Sequence, residues 1–265
     1  MSQQDKNFIK FLGTAGARYV VARQIRSSAG LWMNIEGDNI LIDPGPGTLV
    51  KCFSSRPKLD PNQLKAIILT HRHIDHSTDM NVMIEAMTDS GRNKGRIVIA
   101  PEDTIIGEPV IFSHVRPYLA RFEMMKAGAE LEITPNISLN LPISHHHKAE
   151  TYGLKFTTPL GTISHIVDTA YFDGLLDAYS NSDLLILNVV RFENKDDREK
   201  GILHLTVADA ENIIKHIQPK FAILTHFGMT MIRAKPWEVA KKISDDIGVN
   251  IIAASDGMKF DLNQM

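Results

Sequence analysis

The chain is almost without cysteine. Cys52 stands alone among 265 residues, so no disulfide can form within the chain. No apolar run reaches the roughly 20 residues needed to span a bilayer. The opening MSQQDKNFIKF is polar and lacks the apolar core of a signal peptide. These absences predict a cytoplasmic protein with no membrane partner. Neither sign of charge dominates: 29 Lys and Arg stand against 31 Asp and Glu, for a net charge of -2. No global basic field points to nucleic acid, although a local basic groove is compatible with this balance. No linker rich in Gly, Ser or Pro and no low-complexity tract divides the chain, so residues 1–265 read as a single domain. At 43% hydrophobic and 23% charged, the composition is that of an ordinary globular protein with a sizeable core.

What is present centres on residues 66–76, AIILTHRHIDH. Ile67-Ile68-Leu69 reads as a buried strand. It ends on Thr70 and gives way to His71, His73, Asp75 and His76, four metal-competent side chains within six residues. Imidazole and carboxylate together suit zinc, manganese or iron. His71 and His73 can share one ion while Asp75 and His76 turn to a second. A single surface histidine carries no such weight; a cluster directly after a buried strand does.

Along the chain, strands are expected at Phe8–Leu12, Leu31–Glu36, Asn39–Asp43, Ile97–Ala100 and Leu131–Thr134. More follow at Ile137–Leu141, Gly153–Thr157, Thr162–Val167, Asp183–Val190, Phe221–Leu224 and Asn250–Ala253. Helices are expected at Leu49–Ser54, Asp79–Met87, Phe172–Tyr179, Thr206–Gln218 and Pro236–Ile247. Thr206 and Asp209 form a capping-box pair at the start of the fourth. Met80, Met83 and Met87 fall on one helical face, as core residues do. Ala17–Gly30 reads as a loop, Glu193–Gly201 as a polar loop, and Pro101–Ala127 as a helix with loops forming a lid. KAIILTHRH and KFAILTHFG echo each other around residues 70 and 225, suggesting two sheet halves that meet at one edge with the site between them.

Further donors also follow apolar strands: Ser144-His145-His146-His147, Asp168 and His226. His114 reads as a surface residue, His165 and His216 as structural, and Cys52 as a packing residue.

In order, HRHIDH, a histidine of 145–147, Asp168 and His226 resemble the metallo-β-lactamase superfamily across Phe8 to Leu262. Asp43 in LIDPG matches its first motif, a structural acid beneath the metal loop. FLGT at 11–14, Arg26-Ser27-Ser28, His204 and LTHFG at 224–228 are similar to its ribonuclease Z and phosphodiesterase-like branch. The resemblance implies a four-layer αββα sandwich with the metal site at the edge between two β-sheets. It implies two divalent ions, zinc first, with manganese or iron as alternatives. His71, His73 and a loop histidine hold one ion; Asp75, His76 and His226 hold the other. Asp168 bridges them together with a water or hydroxide. His147 is favoured as the loop ligand because Gly153 follows six residues later, with His146 the alternative. The other two histidines of the run are expected to line the cleft or face solvent.

Two such cations, roughly 3.5–4 Å apart, acidify a bridging water, and the net positive site favours an anionic substrate such as a phosphodiester. The expected activity is therefore that of a phosphodiesterase on nucleic acid or a smaller diester. Asp75 is the expected catalytic carboxylate and His204 the proton donor to the leaving oxygen, against a structural role for His204 at a helix entry. Two departures argue against transfer-RNA maturation. No Gly- and Pro-rich arm is present, and Asn188-Val189-Val190-Arg191 replaces the branch's His-Glu-Ala-Thr stretch. Thioester or lactone hydrolysis is the rival chemistry, and a scaffold with a vestigial site the non-enzyme rival. Asp168 stands where common zinc lactamases carry cysteine, which disfavours β-lactams. His73 stands where a flavodiiron oxidoreductase carries a carboxylate. A homo-oligomer is compatible with the sequence.

Overall fold

Apolar residues on both faces of most strands require cover on both sides of a sheet. In the computed structural model, which describes residues 6–193 and 201–265, that requirement is met by four layers. The first half runs β1 (Phe8–Phe11), α1 (Arg18–Ala22), β2 (Leu31–Ile35), β3 (Asp38–Ile42), α2 (Thr48–Ser54), β4 (Leu64–Ile68), α3 (Ile74–Ser77), α4 (Met80–Thr88), β5 (Ile97–Ala100) and β6 (Arg121–Met124). The second runs β7 (Ala129–Thr134), β8 (Ile137–Leu141), β9 (Leu154–Thr158), β10 (Gly161–Ile166), α5 (Gly174–Ala178), β11 (Leu184–Arg191), β12 (Leu205–Thr206), α6 (Val207–Ile217), β13 (Phe221–Thr225), α7 (Met229–Arg233), α8 (Pro236–Ile247), β14 (Asn250–Ala253) and β15 (Lys259–Asp261).

One sheet has the order β15-β1-β2-β3-β4-β5-β6, and the other β14-β13-β11-β10-β9-β8-β7 with β12 beside β11. Ile9, Phe11, Ile40, Ile42 and Ile68 of the first sheet meet Leu139, Phe156, Ile163, Leu184 and Ile186 of the second in the central core. The alternate residues face outward. Trp32, Leu41 and Ile67 pack under Cys52 of α2 and the methionines Met80, Met83 and Met87 of α4. Leu185, Leu187 and Leu224 pack under Ile213 and Ile214 of α6 and Val239 and Ile243 of α8. Each fully buried side chain of this kind contributes about 1.5–3 kcal/mol. The result is helices, sheet, sheet, helices. Thr206 and Asp209 form the capping box at the start of α6, as their spacing predicts. Among the described residues no helix is long and apolar enough to cross a membrane.

Two expectations change. Residues 101–127 contain no α-helix, only 3-10 turns at Glu102–Thr104 and Arg116–Tyr118 and the edge strand β6. Pro101, Pro109 and Pro117 each lack the N–H that a helix interior needs. Residues 17–30 are not all loop, because Arg18–Ala22 closes one helical turn whose buried side is Val20 and Val21. Most of the expected polar loop Glu193–Gly201 lies outside the described residues.

Candidate metal centre

The loop after β4 is held from below by Asp43. Its carboxylate accepts from the Thr70 backbone N–H at 2.7 Å, the Thr70 hydroxyl at 2.8 Å and His76 Nδ1 at 2.9 Å. These bonds fix tautomers. The Thr70 hydroxyl spends its hydrogen on Asp43, so at 3.1 Å it accepts from His71 Nδ1. That leaves His71 Nε2 a bare lone pair, and it is buried without a hydrogen-bond partner. His76 likewise donates through Nδ1 and turns Nε2 inward. Asp43 and His226 both adopt positive φ, 52° and 60°, in a chain where most such residues are Gly, Asn or at turns. Left-handed backbone at non-glycine residues of a site is a local cost that the surrounding packing sustains. Gly45 permits the tight approach, since a Cβ there would lie 2.0 Å from the Asp75 carbonyl oxygen.

The second sheet brings the remaining donors to the same edge. His147, in the loop between β8 and β9, donates Nδ1–H to the Leu203 carbonyl at 3.0 Å and turns Nε2 to within 3.1 Å of His73 Nδ1. His226 follows β13, and its Nε2 lies 3.0 Å from His76 Nε2 and 3.5 Å from Asp75 Oδ2. Asp168 follows β10 and sits among five imidazoles. Its Oδ2 is 3.8 Å from His71 Nε2, 3.6 Å from His76 Nε2, 4.0 Å from His147 Nε2 and 3.7 Å from His204 Nδ1, and its Oδ1 is 3.3 Å from His226 Nδ1. Two donor groups result: His71, His73, His147 and Asp168, and Asp75, His76 and His226.

Burial would push the Asp168 carboxyl up, but the imidazoles of His226, His204 and His76 outweigh it and hold it well below the usual carboxylate range. Asp75 behaves alike, with burial opposed by His76 and His226. Burial pushes His71, His73, His147 and His204 below the usual imidazole range. His76 goes the other way: the carboxylates of Asp75 and Asp43 overcome its burial and raise it well above. Carboxylate oxygens and imidazole nitrogens 3–4 Å apart, with His71 Nε2 unpartnered, are the donor set and spacing that divalent zinc, manganese or iron accepts. The residues fit such ions.

Of the loop histidines, His147 joins the cluster and His146 does not. His146 is exposed and stacks on Phe172, with ring centroids 3.9 Å apart. His145 neither lines the cleft nor faces solvent. It is buried, with Nε2 2.8 Å from the Tyr179 hydroxyl, and burial lowers its pKa to about 3. Gly153, which favoured His147 in sequence, in fact makes room for that pair: a Cβ there would lie 2.0 Å from the Tyr179 hydroxyl. His204 reaches the cleft with Nδ1 unpartnered. His114 and His216 are exposed and belong to neither donor group. Asn188, which has no role in the motif pattern, joins the site: its Nδ2 donates to Asp168 Oδ1 at 3.0 Å. The polar break in the apolar run of β11 was its sign.

With this geometry in place, comparison with known proteins is decisive for the family. The profile of the beta-lactamase superfamily domain matches residues 38–227. The chain belongs to that superfamily. Within it the similarity runs to the ribonuclease Z-like branch. An uncharacterised protein of Methanocaldococcus jannaschii is 27% identical, the match covering 96% of this chain and 94% of that one. The ribonuclease Z of Clostridium novyi is 25% identical, with 96% and 99% covered. Among solved structures, the metallo-β-lactamase fold protein YhfI of Bacillus subtilis superposes with a TM-score of 0.78 at 18% identity, covering 97% of this chain and 99% of that chain. The fold of this superfamily implies divalent metal ions, and its relatives support a metal-dependent hydrolase.

Proposed function

We propose that this β-lactamase superfamily protein is a dinuclear metal-dependent phosphodiesterase, acting as one domain over residues 1–265. His71, His73 and His147 would hold one ion, Asp75, His76 and His226 the other, and Asp168 both, with zinc the first candidate and manganese or iron the alternatives. The observation that carries the reading is the position of Asp168 Oδ2, within 3.6–4.0 Å of imidazole nitrogens from both donor groups. Two divalent cations so held would lower the pKa of a water toward about 7 and present positive charge to phosphate oxygens. Asp75 would also orient the attacking water. His204, its Nδ1 free of any hydrogen bond, delivers a proton to the leaving oxygen.

The surface beside His226 supports an anionic substrate. Residues 14–28 contain Arg18, Arg23 and Arg26, residues 225–237 contain Arg233 and Lys235, and neither stretch has an acidic residue. The two stretches are packed together: Gly16 N–H donates to the Phe227 carbonyl, and Val20 and Val21 meet Met229 and Ile232. Arg18, Arg23 and Arg233 are exposed, as are Tyr19 and Trp237. The acid that abuts this face, Asp256, bonds to Thr14 and the Ser27 N–H, and Glu238 pairs with Lys235. Cations interleaved with exposed aromatics suit a nucleic-acid strand, consistent with a relative named ribonuclease Z.

The test is a comparison of three substrates with protein stripped and reloaded with zinc or manganese: a chromogenic phosphodiester, a thioester and a lactone. Metal-dependent turnover of the diester supports the reading. Turnover of thioester or lactone alone transfers the same centre to that chemistry. Failure to take up metal favours a scaffold.

A further inference from the structure

Three parallel strands, β10, β11 and β13, lie side by side. The register pairs Ile166 with Leu187 and Asn188 with Thr225. The strand ends therefore set Asn188 between Asp168, which follows β10, and His226, which follows β13. His165, Asn188 and Asp168 are all buried. They form a chain of hydrogen bonds: His165 Nε2 is 3.0 Å from Asn188 Oδ1, and Asn188 Nδ2 is 3.0 Å from Asp168 Oδ1.

The chain has one consistent direction. A carboxylate only accepts, so Asn188 must donate through Nδ2 and accept through Oδ1. His165 Nε2 must then carry the hydrogen. This is the one hydrogen bond that the His165 ring makes among the described residues, because its Nδ1 is buried without a partner. The amide of Asn188 is thus fixed from behind, and its N–H occupies Asp168 Oδ1. His226 Nδ1, 3.3 Å away, faces the same oxygen. Oδ2 is the oxygen turned to imidazoles of both donor groups, those of His71 and His147 on one side and His76 on the other. A carboxylate without this restraint could rotate and give both oxygens to a single ion.

We propose that Asn188 and His165 are positioning residues that hold Asp168 so that one oxygen, Oδ2, is shared between two metal ions. This rests on the dinuclear reading above and deepens it. The role is one of orientation, and neither residue touches an ion or a substrate. Partners of this kind commonly change metal affinity by 10–100-fold.

The test uses the full chain, freed of metal and titrated with Mn(II). Wild type is compared with Asn188→Leu, His165→Leu and His165→Gln; the last retains an N–H donor toward Asn188. Ions per chain are counted after gel filtration, and electron paramagnetic resonance reads whether two Mn(II) ions are coupled through a shared bridge. Wild type should hold two coupled ions. Asn188→Leu and His165→Leu should bind the second ion at least tenfold more weakly and lose the coupling, and His165→Gln should recover both. Thermal unfolding of the metal-free proteins checks the fold, and the His165 pair decides the matter if Asn188→Leu does not fold. Two coupled ions of wild-type affinity in both leucine variants would overturn the positioning role while leaving the dinuclear reading intact. So would His165→Gln behaving as His165→Leu. A wild type that takes up a single ion would overturn both.

Discussion

Asp43 and His76 are 33 residues apart in sequence and 2.9 Å apart at Oδ2 and Nδ1. This contact, with the two bonds from Thr70 to the same carboxylate, shapes the whole loop from His71 to His76. Replacing Asp43 with Ala leaves the Thr70 N–H and His76 Nδ1–H without their acceptor. Each orphaned buried donor costs about 1–3 kcal/mol, and metal affinity should fall 10–100-fold. Asp43→Asn, which keeps one acceptor oxygen and tolerates the left-handed backbone, should lose less of both. Denaturant unfolding of the metal-free protein and metal titration measure the two effects separately.

His204 is expected to matter most when the leaving oxygen is a poor one. His204→Gln should slow hydrolysis of an alkyl or nucleoside diester by roughly 10²–10⁴-fold. It should affect a nitrophenyl diester far less, because that leaving group departs without a proton. Equal losses on both substrates would assign His204 a role other than proton donation.

The cationic face around α1 should act on extended substrates. Arg18→Glu with Arg23→Glu is predicted to raise KM for an oligonucleotide and to flatten its salt dependence by about two counterions. KM and kcat for a small chromogenic diester should stay near wild type. Both arginines are exposed, so unfolding is not expected to confuse the result.

Cys52 is fully buried on the inner face of α2, and burial together with the nearby charge of Asp79 pushes its thiol up to about 12. Below that pH the thiolate is scarce, and the thiolate is the reactive form. A chromogenic disulfide reagent at pH 8 should leave the native protein unmodified and titrate one thiol per chain in denaturant. Rapid labelling of the folded protein would contradict the packing role.

How much of this was legible in sequence depended on how each feature is encoded. Short apolar runs such as Ile67-Ile68-Leu69 and Phe221-Ala222-Ile223 mark strands to within about three residues at either end, because burial on both faces leaves a continuous apolar trace. The echo of Thr70-His71 in Thr225-His226 corresponds to two strand ends brought to one edge, and the donors that follow strands are those the structure gathers. The three neighbouring loop histidines were a different matter. Composition cannot say which ring turns inward. Gly153 owes its place to a steric demand of the His145–Tyr179 pair, which only the folded contact reveals. Helix α1, at five residues, is too short to show a period. The partnership of His165 and Asn188 joins two strands through their register, and local pattern carries no register information.

Phosphodiesterase activity is measured by initial rates of chromogenic phosphodiester hydrolysis on zinc- or manganese-reloaded protein beside Asp75→Ala, with bound metal counted in both. Wild type should show metal-dependent turnover and the variant a loss on the order of 10³-fold, with the variant still folded. Absence of turnover in a wild type holding two ions per chain would contradict the phosphodiesterase reading, as would an Asp75→Ala variant as fast as wild type.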